Sequence, residues 1–216
     1  MIPFPNKKYA CILADPPWKF KTFSSKGITA KGAESHYTCM PINDIKTLPV
    51  IDIADKDCFL FMWATFPMLP EALETMAAWG FKYKTGASWH KTTKNGKTAF
   101  GTGYIFRCAA ELLLVGTRGH PRTLNKSTRN VLQGVVREHS RKPDEQYSLI
   151  ESLCGGERIE LFARQHRAGW DCWGNETEKF DNEYTVDELS EKIEAIKAER
   201  EKTAKALNDM KKNWKR

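Results

Sequence analysis

Tyr9-Ala10-Cys11-Ile12-Leu13-Ala14-Asp15-Pro16-Pro17-Trp18 is an apolar run that stops at a carboxylate, two prolines and a tryptophan. A short apolar run of this kind is a strand buried on both faces, and the prolines end it. Each proline fixes φ at about −65° and lacks an N–H, so pairing stops and the carbonyls of Asp15 and Pro16 are free to face a ligand. Asp15 offers an anionic acceptor, Pro16 a rigid carbonyl and Trp18 a flat face. Such a set suits a planar heterocycle with an exocyclic amino group. An amine whose lone pair is delocalised into a ring is a poor nucleophile. Two acceptors that hold its hydrogens draw it toward a tetrahedral shape, so placement matters more than a strong base.

Outward from this stretch, strands and helices alternate. Cys58 to Trp63 reads as a buried strand, preceded by a helical turn from Ile42 to Leu48. A helix is expected from Pro67 to Trp79, with Leu69, Leu73, Met76 and Ala77 on one face and Gly80 as its stop. Phe81 to Trp89, Glu111 to Gly116 and Arg158 to Arg164 read as further strands, and Pro143 to Leu153 as a helix with proline at its first position and acids at its positive end. The alternation predicts an α/β fold with a parallel or mixed sheet.

Lys19 to Met40 is polar and reads as a loop over the site, with His36 and Tyr37 placed to order over a target. Between Lys82 and Lys142 stand thirteen Lys or Arg against two acids, Glu111 and Glu138. This one-signed stretch is the expected phosphate-contacting surface, with Lys91, Lys94, Lys97, Arg118 and Arg122 as contacts. The chain of 216 residues carries a net charge of +7, which favours a polyanionic partner. Its six cysteines form no Cys-x-x-Cys and do not cluster with histidine, so reduced thiols and no metal are expected. No apolar run approaches the roughly 20 residues of a membrane span, and no export signal is visible. A cytoplasmic protein is therefore expected.

Asp15-Pro16-Pro17-Trp18, taken with Gly103-Tyr104-Ile105-Phe106-Arg107 through Glu111-Leu112-Leu113-Leu114-Val115-Gly116, with Lys142-Pro143-Asp144-Glu145, and with Arg164, His166 and Gly174-Asn175, resembles the adenine-N6 methyltransferases that use S-adenosylmethionine. That family includes the catalytic subunit of the eukaryotic mRNA adenosine methyltransferase and small bacterial and phage DNA methyltransferases. The resemblance implies a permuted Rossmann-like methyltransferase fold over residues 1–180. It implies catalysis at Asp15, Pro16, Pro17 and Trp18, and cofactor contacts from Asp15, Lys142, Arg164, His166, Asn175 and Glu176, with Lys142 on the cofactor's carboxylate. It also implies DNA as substrate from a prokaryotic or phage-encoded enzyme, with RNA and a catalytically silent nucleic-acid-binding subunit as the alternatives. Because the Asp15 strand comes first and the Arg158 strand last, the two must lie side by side for donor and acceptor to meet in one crevice. Only eight residues precede Tyr9, so Ile2 and Pro3 are what remains to line an adenine pocket from that side.

Residues 181–216 form a separate appendage. Thr185-Val186-Asp187-Glu188 is a capping box, and Val186, Leu189, Ile193, Ile196, Leu207, Met210 and Trp214 lie on one helical stripe. This helix either folds back as an amphipathic element or pairs in a homodimer. Its basic end, Lys211 to Arg216, is suited to nucleic acid.

Overall fold

The computed structural model describes residues 2–18, 39–103, 105–138 and 140–181. By its internal packing the chain divides after Thr177, into Met1–Thr177 and Glu178–Arg216. Among the described residues the first unit holds seven strands and three α-helices: β1 (Tyr9–Ala14), α1 (Ile42–Lys46), β2 (Ala54–Ala64), α2 (Leu69–Ala78), β3 (Lys82–Thr92), β4 (Ala110–Arg118), β5 (Val131–Val135), α3 (Glu145–Leu153), β6 (Arg158–Leu161) and β7 (Asp171–Trp173). The loop over 19–38, with His36 and Tyr37, and the helix expected over 185–216 lie outside the described residues.

The strands form one sheet in the order β5-β3-β4-β2-β1-β6-β7. β1 pairs in parallel with β2 on one side and with β6 on the other, so the Asp15 strand and the Arg158 strand are neighbours, as the order of motifs requires. β4 runs antiparallel to both β2 and β3, while β3 and β5 are parallel, as are β6 and β7. β4 alone is reversed. One edge of the sheet therefore gathers the C-terminal ends of six strands and the N-terminal end of β4.

The central strands read as continuous apolar runs because both faces are covered. Ile12 and Ala14 of β1, with Leu60 and Met62 of β2, pack under α1 and α2, where Met76, Trp79 and Ile45 are buried. The alternate residues, Cys11, Leu13, Phe59, Phe61 and Trp63, pack on the opposite face against Tyr147 and Ile150 of α3. α2 buries Ala72, Thr75 and Met76. Ala77, expected on that face, is exposed because the helix is rotated toward Thr75. Gly80, with φ of 83°, reverses the chain, and the Phe81 N–H reaches back to the Met76 carbonyl at 3.0 Å.

Two strands escape the sequence pattern. β5 lies within the basic stretch, and β7 is only three residues long in what reads as loop. Both are sheet edges.

Candidate active site

At the edge where β1 ends, four charged side chains join in a row. The Lys142 ammonium lies 2.9 Å from each Asp15 carboxylate oxygen and 3.0 Å from Glu111 Oε1. Glu111 Oε2 in turn lies 2.8 Å from the Lys91 ammonium. The topology explains the meeting: Asp15 follows β1, Glu111 opens the reversed β4, Lys91 is near the end of β3, and Lys142 lies between β5 and α3.

The Lys142 side chain is 9% exposed and that of Glu111 11%. Burial alone would push the Lys142 ammonium down, but the carboxylates of Asp15 and Glu111 more than reverse this and hold it above its ordinary range. Burial likewise pushes Glu111 up, and Lys142 and Lys91 together bring it below the usual carboxylate range. Lys142 and Glu111 are therefore both ionised at neutral pH. Aromatic rings flank it: Lys142 stands 5.6 Å from the centre of Trp63, and Lys91 4.7 Å from that of Trp89.

The loop carrying Lys142 is clamped from behind. Arg137 makes a bidentate pair with Asp144, both contacts at 2.8 Å, and donates to the Lys142 carbonyl at 2.8 Å. Pro143 lies against Gly134 of β5, where a Cβ would stand 2.5 Å from the proline ring carbon. Ser140 adopts φ of 60°, and its carbonyl accepts from Arg164, which links this loop to the end of β6. Phe162, just after β6, also has positive φ, at 61°. Such a conformation is rare for a bulky residue and turns the chain sharply away at the edge.

Lys142 thus has three carboxylate oxygens around its three N–H donors. To pair with a cofactor carboxylate, as the resemblance implies, it must exchange one of them. Trp18 is placed differently from the expected flat face. Its indole is 4% exposed and donates to the Trp63 carbonyl at 3.0 Å, so it pins the turn to β2 and does not present itself to a base. The Pro16 carbonyl accepts the Trp18 N–H at 2.8 Å and that of Pro17 the Met40 N–H at 3.1 Å, so Pro16 keeps one lone pair for a ligand.

Arg164 is half-buried, His166 and Asn175 are exposed, and Glu176 is half-buried, in the loops after β6 and β7. Ile2 and the residues after it do reach this end: Phe4 packs on Trp173 with ring centres 4.5 Å apart, and the Trp173 indole donates to the Ile2 carbonyl. Lys94 and Lys97 are exposed on the β3–β4 connection, on the same edge as Asp15. Arg118 and Arg122 are not. β4 runs backwards, so Arg118 pairs in register with Cys58 near the start of β2, and Arg122 lines a cavity of about 250 Å³ with Asp57, Phe59 and Cys154. They belong to the opposite edge of the sheet. Lys91, expected on phosphate, is committed to Glu111.

Glu111 is the residue that sequence reading passed over. Its signal was present: an acid directly before the apolar run Leu112 to Val115, in a stretch otherwise crowded with cations. Glu160 of β6, which the sequence offers as a buried partner for a basic residue, is buried and accepts from the Tyr147 hydroxyl at 2.7 Å. Tyr147 in turn accepts from Gln165, which also donates to Asp144. Burial, aided by Asp15, pushes the Glu160 carboxyl up to about 7 despite the Tyr147 bond. A carboxyl raised on folding makes the folded state bind the extra proton, so stability falls as pH rises from about 4.5 to 7, here by roughly 3 kcal/mol. Glu160→Gln is expected to remove this slope, which urea unfolding at pH 5 and pH 8 measures. An unchanged slope would mean that Glu160 titrates like an exposed acid.

The MT-A70 family model matches residues 9–176. The chain is 33% identical over 193 residues to the type II methyltransferase M.MunI of a Mycoplasma species, a match covering 80% of this chain and 79% of that protein. It is 31% identical over 175 residues to the human N(6)-adenosine-methyltransferase catalytic subunit METTL3, and 33% over 174 residues to a putative N(6)-adenosine-methyltransferase of Medicago truncatula. Each of these covers 78% of this chain but only 28% and 26% of the relative, so the chain spans about a quarter of the plant and animal proteins. The match begins at the first residue of β1 and takes in every strand of the sheet together with Asp15, Glu111 and Lys142, and on that evidence this chain belongs to the MT-A70 family of adenine-N6 methyltransferases, which use S-adenosylmethionine as methyl donor.

Proposed function

We propose that this protein methylates N6 of adenine in DNA, with Asp15 as the residue that receives the target amine. The observation that carries the reading is the Asp15–Lys142–Glu111 row at the end of β1. Lys142 fixes the Asp15 carboxylate in direction without occupying all the lone pairs of its oxygens. The Asp15 carboxylate and the second lone pair of the Pro16 carbonyl accept the two amine hydrogens, and this directs the nitrogen lone pair into the crevice between β1 and β6. Once the amine carries its new substituent it is cationic and acidic, and its surplus proton passes to water, so no strong base is needed and the rate comes from preorganised acceptors.

S-adenosylmethionine, when bound, supplies an electrophilic methyl group on a cationic sulfur. The chemistry of the crevice fits it: an acidic side chain for the positive end, a lysine for the carboxylate, and Arg164, His166, Asn175 and Glu176 as polar groups for ribose and adenine.

DNA is preferred because the relative whose length this chain matches is a type II methyltransferase. The basic connection after β3 supports a polyanion of either kind. RNA is the second reading, favoured by the similarity to N(6)-adenosine-methyltransferases. The test is transfer of labelled methyl to unmethylated plasmid and to matched transcript, with nucleoside analysis of both. N6-methyladenine in DNA alone supports the proposal, and in RNA alone overturns the choice of substrate. No transfer and no cofactor binding would mean a silent nucleic-acid-binding subunit.

Lys94 and Lys97 are exposed on the catalytic edge, free of the ion-pair row. Replacing both with glutamine is expected to lower the slope of log affinity against log salt by about 2 on duplex DNA, with little change in single-turnover rate at saturation. Arg122→Gln, on the opposite edge, is expected to leave the slope for a short duplex unaltered.

A further inference from the structure

The β3–β4 connection, residues 93–109, combines two features that are rarely left together in water. Phe100, Ile105 and Phe106 are 82%, 90% and 86% exposed, the three most exposed large apolar side chains among the described residues. Lys94, Lys97 and Arg107 accompany them, and no acid occurs between Lys91 and Glu111.

The described residues of this segment are tied down by backbone hydrogen bonds. Gly96 N–H reaches Thr93 O at 2.9 Å, Thr93 N–H reaches Lys97 O at 2.8 Å, Ala99 N–H reaches Lys91 O at 2.8 Å, and Gly101 N–H reaches Cys108 O at 3.0 Å. At Gly103 a Cβ would stand 2.1 Å from the Phe106 carbonyl, so only glycine allows the reversal that turns Ile105 and Phe106 outward. An ordered loop that holds bulky apolar tips in solvent is shaped to put them into something. Its two ends are Lys91 and Glu111, ion-paired at 2.8 Å and continuous with Lys142 and Asp15. The tips are therefore rooted in the catalytic row.

We propose that Phe100, Ile105 and Phe106 form an apolar wedge that enters the base stack of duplex DNA beside the target adenine and holds open the space the flipped base leaves. The occupant is argued from charge: three cations and no acid accompany the tips, which suits a phosphate-lined groove and opposes a basic partner. Apolar side chains between cationic contacts are the usual means of separating stacked bases, and a base that is to be methylated at its amine must leave the duplex. This rests on the reading of duplex DNA as substrate.

The experiment uses the full chain and one unmethylated plasmid in two forms, native and heat-denatured. The combined Phe100→Ser, Ile105→Ser and Phe106→Ser variant is expected to lose at least about tenfold of its rate on native plasmid while its rate on the denatured form stays within about twofold of the parent. Sedimentation of parent and variant runs alongside. Equal loss on both forms overturns the wedge, as does a parent dimer that becomes a monomer in the variant, which would make the loop a contact between copies. A parent that methylates neither form overturns the DNA reading and the wedge with it. A variant that fails on both forms while the parent works on both overturns the wedge alone.

Discussion

Asp15→Asn is expected to cut the turnover number by about 10³-fold while leaving the chain folded and the cofactor bound. The amide keeps the shape of the carboxylate and one acceptor oxygen, so the turn at Pro16 and Pro17 has no reason to move. What disappears is the charge and one acceptor, and the amide nitrogen presents donors where the substrate amine also needs an acceptor. Loss of one preorganised group of this kind costs roughly 10²- to 10³-fold, and misplacement of the amine adds to it. Lys142 would retain Glu111 as partner, so the unfolding free energy is expected to fall by only about 1–3 kcal/mol. Single-turnover methyl transfer, cofactor titration and urea unfolding separate these terms. Near-normal turnover would remove Asp15 from the mechanism altogether.

Much of this site can be read without coordinates, and the omissions have physical causes. The pairing of β1 with β6 follows from the order of two motifs that must share a crevice. β1 is buried on both faces and its apolar run is unbroken, whereas β6 carries Arg158 and the buried Glu160. β5 and β7 are edge strands; β5 alternates exposed and buried residues over only five positions and contains Gly134, so local pattern says little. The basic stretch from Lys82 to Lys142 looks uniform as composition. Its function is divided by the direction of β4, which carries Arg118 and Arg122 away from Asp15 while Lys94 and Lys97 stay beside it. Lys91 and Glu111 are twenty residues apart, and only the antiparallel register that pairs Trp89 with Glu111 brings them together. Trp18 shows the limit of residue type as evidence. An aromatic beside an active turn suggests stacking, and only the hydrogen bond to Trp63 reveals a structural pin.

Lys142→Met carries the second large effect, and its signature differs from that of Asp15→Asn because it strikes stability as well as activity. Methionine fills the space of the lysine stem but leaves Asp15 and Glu111 facing one another with Lys91 as the remaining cation. Removing one partner of a buried ion pair costs about 3–5 kcal/mol, since the other charges stay uncompensated. The pH dependence contributed by the ion-pair row should also reverse. In the parent, Glu111 titrates below its ordinary range, so its contribution is present above about pH 4.5 and is lost as pH falls through its folded value. Lys142, raised on folding, contributes below about pH 10.5 and loses that contribution only in strong alkali. In the variant the two carboxylates repel, and one of them takes up a proton more readily when folded than unfolded, so stability should rise as pH is lowered from 8 to 6 by more than the Glu160 contribution already gives the parent. Adding Glu111→Gln to Lys142→Met removes the repulsion. The double variant should recover most of the lost stability and none of the lost activity, because the cation that holds Asp15 in place is still missing. Recovery of both together would mean that Lys142 serves the fold alone. Recovery of neither would mean that Glu111 contributes to the site independently of Lys142.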